Sequence, residues 1–254
     1  ENIIAFFFSI AANKKIKDNK FPISFQELIK DDEELRVLFL LFYSSIIYHL
    51  AKLMKAKGFK VPCDIIFSGT GSKVINIVDK NIRLEKLKTL TEKIFSKIYD
   101  EENLNIEITQ PLQPKEITCK GGLLCDTNIT PESIQSSLLG DISNTILPIN
   151  SLKYSGLDET ILNNVVAEFT SFTKTFFEIN EDYDFAKEFT LSPSTLSNLK
   201  DNINSEVMKD LKIGLNAKKA ELKNNPDSKV EETLFFYPLV GIINKLANKI
   251  VSTV

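Results

Sequence analysis

The stretch CDIIFSGTGSKVINIV, Cys63 to Val78, decides how this chain is read. Asp64 to Phe67 has the look of a short strand, and Ser68-Gly69-Thr70-Gly71-Ser72 that of a small polar loop. Lys73 follows, and the chain then turns apolar again. Glycines and hydroxyls between a strand and a helix leave backbone N–H groups facing outward with no side chain over them. Such a turn suits a phosphate or a nucleotide. A turn built only for packing has the same composition, so the loop alone leaves both readings open.

Upstream of it lies a strong helical pattern. Leu35, Leu38, Phe39, Phe42, Ile46, Leu50, Leu53 and Met54 recur at three- and four-residue steps, which predicts a core-facing helix over residues 35–57. Acids from Asp31 to Glu34 open it, and Lys52, Lys55 and Lys57 close it, as the helix dipole favours. Gly58 then stops it. The single histidine, His49, sits off the dense part of this stripe with no Ser, Cys or acidic partner nearby in sequence, and reads as structural rather than catalytic.

Downstream, Leu84, Leu87, Leu90, Ile94, Phe95 and Ile98 predict a second amphipathic helix over 83–99. Asn105 to Thr109 alternates like a strand. Pro114 is placed to begin a helix from Lys115 to Cys125, and Gly121-Gly122 inside it marks close packing or close approach of a ligand. Helix, strand, glycine loop, helix, strand, helix is the order of α/β units with a parallel sheet.

Composition narrows the function. The fractions of 43% hydrophobic and 26% charged residues are those of a soluble globular protein. A net charge of −3, with no run of Lys and Arg free of acidic neighbours, argues against a nucleic-acid surface. Cys63, Cys119 and Cys125 are few and odd in number, which suits reduced thiols in a cytoplasmic protein. Their spacing, with no nearby His, argues against a metal site. The opening residues ENIIAFFFSI lack the basic flank and cleavage pattern of a signal peptide and are too short an apolar run to span a membrane. The chain reads as a piece of a longer polypeptide.

The strand and loop IIFSGTGSKV, with QPKEITCKGGLL at residues 113–124 behind it, resemble the adenosine motif and the following helix of the actin-like ATPase superfamily. That superfamily includes actins, heat-shock chaperones and sugar kinases. The resemblance covers about residues 35–125 and lies in the order and spacing of two short motifs. It implies a helix-rich α/β fold, a partial ribonuclease-H-like C-terminal lobe, and a nucleotide cleft between two lobes. Adenosine would rest on this one. By that resemblance Gly69, Thr70 and Gly71 let the backbone approach the ribose and α-phosphate of ATP. Ser72 would bond the nucleotide or cap the next helix, and Lys73 would meet the adenine edge. The family's two phosphate-gripping hairpins, each with an Asp beside glycines, are not found here, nor are its metal-coordinating acids. The resemblance therefore implies no catalytic residue in this chain, ATP with Mg only in the full-length protein, and an upstream lobe of the same polypeptide as partner.

Beyond Cys125 the resemblance stops, and the expected division is an ATPase-like part at 1–126 and a helical extension at 127–254. Gly140-Asp141, between two short apolar runs in residues 133–154, is a hairpin pattern. Phe169, Phe172, Phe176 and Phe177 belong to the stripe of a helix over 157–179, read as core or as a partner-binding face. Residues 178–189 read as a solvated acidic turn in which Glu181, Asp182 and Asp184 only loosely resemble a cation site. One long helix is expected over 194–222. Another is expected within 231–254, where Asn244, Lys245, Asn248 and Lys249 break the apolar stripe and argue against a membrane span. A helical interaction module without nucleotide is the alternative function.

Overall fold

A computed structural model describes residues 32–69, 72, 75–78, 84–111, 116, 136–138, 146–148, 153–204, 207–221, 227–230 and 233–252. Helix α1 spans Glu33–Ala56. Asp32 caps it, its Oδ1 accepting the Leu35 N–H at 3.0 Å, and Gly58, at φ +74°, turns the chain out of it. Leu40, Leu41, Ile47 and Ala51 are completely buried. By length and composition α1 is apolar enough to cross a membrane. A helix at the centre of a core meets the same test, and α1 packs against helices on several sides.

Strand β1, Asp64–Ile66, leads through α2, Ile75–Val78, and α3, Leu84–Tyr99, to β2, Glu107–Thr109. The strands pair in parallel, Asp64 opposite Glu107 and Ile66 opposite Thr109. This is a strand-helix-strand unit whose sheet has two strands among the described residues. Alternation sorts its faces: Ile65 and Phe67 pack on the core while Asp64 and Ile66 stand outside. Helix α3 buries Leu87, Leu90, Ile94 and Phe95, and its Thr91 Oγ1 lies 2.6 Å from the Tyr43 hydroxyl of α1. The expected α/β character is present in this coarse form, as a helix-rich fold with a small parallel sheet.

Strands β3, Ser136–Leu138, and β4, Ile146–Pro148, pair antiparallel, as the hairpin pattern around Gly140-Asp141 predicts. A 3-10 turn at Tyr154–Gly156 leads to α4, Glu159–Tyr183, capped by Asp158. Here two expectations fail. Residues 178–189 are not an irregular turn. Helix α4 runs on to Tyr183, Asp184 adopts the left-handed conformation at φ 52°, and α5, Phe185–Glu188, follows at once. Phe185 and Phe189 are buried in the core, which holds the segment in place. Nor is 194–222 one helix. It is α6, Pro193–Asn204, and α7, Val207–Glu221, and the two serve different partners: α6 lies on α1, α7 on α4 and α8. A 3-10 turn at Leu234–Phe236 then leads into α8, Tyr237–Ser252.

The start of α1 clamps the turn between α5 and α6. Arg36 donates to the carbonyls of Phe189, at 2.7 Å, and Thr190, at 3.0 Å. Glu33 Oε2 accepts from Ser192 N at 2.9 Å and from Thr195 Oγ1 at 3.0 Å. A cation thus meets carbonyls at a helix end and an anion meets the first turn of the next helix, each on its favoured pole. The Ser192 N–H and the two hydroxyls hold the Glu33 carboxyl below its ordinary value.

One aromatic cluster joins these helices. Phe235 stacks on His49 at 4.8 Å and on Tyr48 at 5.9 Å, and meets Phe172 and Phe169 at 5.9 and 5.8 Å. The phenylalanine stripe of α4 is therefore core. Side chains from both sides of residue 126 enter this same cluster, from Val37 to Ile242. A smaller cluster, including Val165, Leu211, Leu234 and Tyr237, lies beside it. There α7 and α8 approach so closely that a Cβ on Gly241 would stand 2.2 Å from the Asp210 carbonyl oxygen, and one on Gly214 2.3 Å from that of Tyr237.

Candidate functional site

The candidate site is the turn that follows β1. Gly69 has φ +78°, a conformation an L side chain enters only with strain, so glycine is required here by the backbone. An ideal Cβ on Gly69 would meet nothing within 4 Å among the described residues. Ser72 is buried at 7% exposure. Its N–H donates to the Gly69 carbonyl at 3.2 Å and its hydroxyl to the same oxygen at 2.8 Å. Ser72 thus braces the loop. Thr70, Gly71 and Lys73 lie outside the described residues, as does the expected helix at 115–125 apart from the exposed, helical Glu116.

The parallel pairing decides where this loop sits. Both strands end on the same side, so the loop after β1 and the residues after β2 converge there. Gln110, the first residue past β2, donates from Nε2 to the Ser72 carbonyl at 3.0 Å. The carboxyl ends of parallel strands are where open α/β sheets bind ligands. Gln110 was not singled out from the sequence. Its position directly after the alternating run NIEIT, facing a loop after a parallel neighbour, was the available signal.

Beside the loop lies an apolar groove of about 630 Å³. Phe39, Phe42 and Ile46 of α1 form its floor, Phe67 and Ile75 its sides, with Ser68 and Ser72 at the loop end. Tyr43 stacks on Phe67 at 5.8 Å and keeps that wall in place. Cys63 is exposed at the opposite end of β1.

His49 is not near this loop. It is buried at 8% exposure between Phe235 and Phe236, its Nδ1 has no hydrogen-bond partner, and burial pushes its pKa down to about 4. It is a neutral core residue, in agreement with the structural reading. The acidic residues at 181–184 are spread apart: Asp182 pairs with Lys97 at 2.7 Å, Glu181 with Lys200 at 3.9 Å, and Asp184 caps α5. Among the described residues no group of three or more His, Cys, Asp or Glu is arranged to hold a metal ion.

Comparison with protein-family models, curated proteins and solved structures finds no match to this chain.

Proposed function

We propose that this chain supplies the adenosine side of a nucleotide cleft, in the manner of the C-terminal lobe of an actin-like ATPase. One observation carries the reading. A half-buried, positive-φ glycine, with no described group within 4 Å of where its Cβ would stand, follows the first strand of a parallel pair, and its loop is tied to the end of the second strand through Gln110. Such a loop offers backbone rather than side chains to its ligand, which is the chemistry that ribose and phosphate oxygens call for.

In this reading Gly69, Thr70 and Gly71 present the backbone, Lys73 meets the adenine edge, and Ser72 holds the loop through Gly69 rather than reaching the nucleotide. A Cβ on Gly69 would meet no described group within 4 Å, so no described side chain blocks a ligand's approach to its backbone. The phosphates and Mg are held by the upstream lobe of the same polypeptide, and hydrolysis is not a property of this chain alone. The finer fold assignment, a partial ribonuclease-H-like lobe with its helical extension, is part of the same proposal. So is a cytoplasmic location.

Equilibrium titration of the full polypeptide with a fluorescent ATP analogue tests the reading. Gly71→Val and Lys73→Ala are each expected to weaken binding tenfold or more. Unchanged affinity in both variants sinks the assignment. The alternative, a helical interaction module, drew on the phenylalanines of α4, and Phe169, Phe172 and Phe176 are turned inward.

A further inference from the structure

The two outer edges of the parallel sheet are not alike. On β1, Cys63 accepts from Glu107 and Phe67 donates to the Thr109 carbonyl, at 2.8 and 2.9 Å. In a parallel ladder this places the backbone of Cys63, Ile65 and Phe67 toward β2 and turns that of Asp64 and Ile66 the other way. On the far side of β2 the corresponding first amide, Ile106 N–H, is taken by the Glu92 carboxylate at 3.0 Å, and Ile106 and Ile108 are buried beneath α3. On the far side of β1 no described group meets Asp64 or Ile66, and Ile66 is 60% exposed.

The apolar groove runs along this same edge. Ile66 lines it although its side chain stands on the outer face, and Phe39, Phe42 and Ile46 form its floor. A strand set about 5 Å beyond β1 would lay every second side chain onto those three residues. Its intervening positions would flank Asp64, a carboxylate for which a Lys or Arg is the favoured cross-strand neighbour. Pairing with a second copy of β1 would instead bring another Asp64 to this edge, on a chain of net charge −3.

We propose that the free edge of β1 is a docking site for an extended strand of another polypeptide segment, apolar at alternate positions and basic between them, which continues the sheet over α1. Backbone hydrogen bonds to Asp64 and Ile66 give the strand its hold, and the Phe39–Phe42–Ile46 floor selects its side chains. The inference does not depend on nucleotide binding, since it concerns the edge of the sheet and not the loop at its end.

Ile66→Pro is the discriminating variant. It removes the outward N–H and leaves the β2 ladder untouched, a position where an edge strand tolerates proline. Ile66→Thr keeps the backbone donor and is the control. The full chain is titrated with a heptapeptide alternating valine with lysine and threonine, followed by amide hydrogen exchange at Ile66. Saturable binding with slowed exchange in the wild type and Ile66→Thr, and at least tenfold weaker binding by Ile66→Pro with unchanged circular dichroism, is the expected result. Failure of the wild type to bind the peptide overturns the proposal, as does equal binding by Ile66→Pro. Should Ile66→Pro lose its fold, Phe42→Lys, which closes the groove from α1, must abolish binding in its place. Concentration-dependent dimers that Ile66→Pro abolishes would assign the edge to a second copy and equally overturn it.

Discussion

The aromatic cluster around Phe235 and the loop after β1 are built on opposite principles. At Phe235 three elements distant in sequence converge: α1, α4 and the 3-10 turn all contribute to one set of rings. Phe169, Phe172, Phe176 and Phe235 are each exposed by 2% or less. Around the loop, Ile66 remains 60% exposed, no described group stands within 4 Å of a Cβ on Gly69, and a groove lies open alongside. The first region concentrates the stability of the fold. The second keeps backbone and apolar surface available for something else. The core and the proposed site are thus separate regions of this chain, and substitutions in one should leave the other unaffected.

The largest expected effect is at the hub. Phe235→Ala removes a fully buried ring that five other aromatics touch, and should cost about 4 kcal/mol by urea denaturation. A loss under about 1 kcal/mol would mean that the cluster collapses to fill the space and is not where stability is concentrated. Next comes the α7–α8 contact. The atoms facing Gly241 belong to the Asp210 backbone and cannot swing aside. Gly241→Ala must therefore part the helices, at about 3 kcal/mol. If the loop binds a nucleotide as proposed, neither substitution should change that affinity once the protein is folded.

His49 sharpens the contrast through pH. Its folded pKa is about 4 against an ordinary 6.5, so the folded state stays neutral while the unfolded chain takes up a proton. The unfolded state then binds more protons, and stability falls as pH drops through 6.5 toward 4. The full contribution is about 3 kcal/mol. His49→Phe keeps the stack on Phe235 and has no proton to gain, so its stability should fall less than that of wild type over the same range. Parallel curves for the two proteins would show that His49 is not buried in neutral form.

Much of the hub was legible in advance and much of the site was not, for physical reasons. The stripe from Leu35 to Met54, the acids from Asp31 to Glu34 and the stop at Gly58 place α1 to within a residue or two, because amphipathic periodicity and end signals agree. The Phe stripe of α4 was equally plain. Phe235 and Phe236 were overlooked because a 3-10 turn has no apolar period long enough to register. The break between α6 and α7 carries no Pro or Gly, so the two helices read as one; what separates them is that α6 and α7 find different neighbours. Acidic composition made 178–189 look solvated, whereas Phe185 and Phe189 decide its burial. At the loop, the glycine pattern gave the strand and the turn. The Gln110 contact and the unequal sheet edges came only from the pairing, which no local pattern encodes.

The smallest effect is the most informative about the loop. Gly69→Ala adds a methyl group that meets nothing within 4 Å, so there is no clash to relieve. What remains is the cost of an L residue at φ +78°, about 1 kcal/mol. Asn enters this region more readily than Ala, so Gly69→Asn should recover part of the loss. The ordering Gly, Asn, Ala in stability would show that the glycine is kept for its backbone. Equal stabilities would show that the loop relaxes freely and is not held by Ser72 and Gln110. If Gly69→Asn is stable yet impairs nucleotide binding, the open space before residue 69 is the feature that matters. The site would then be defined by what it leaves out.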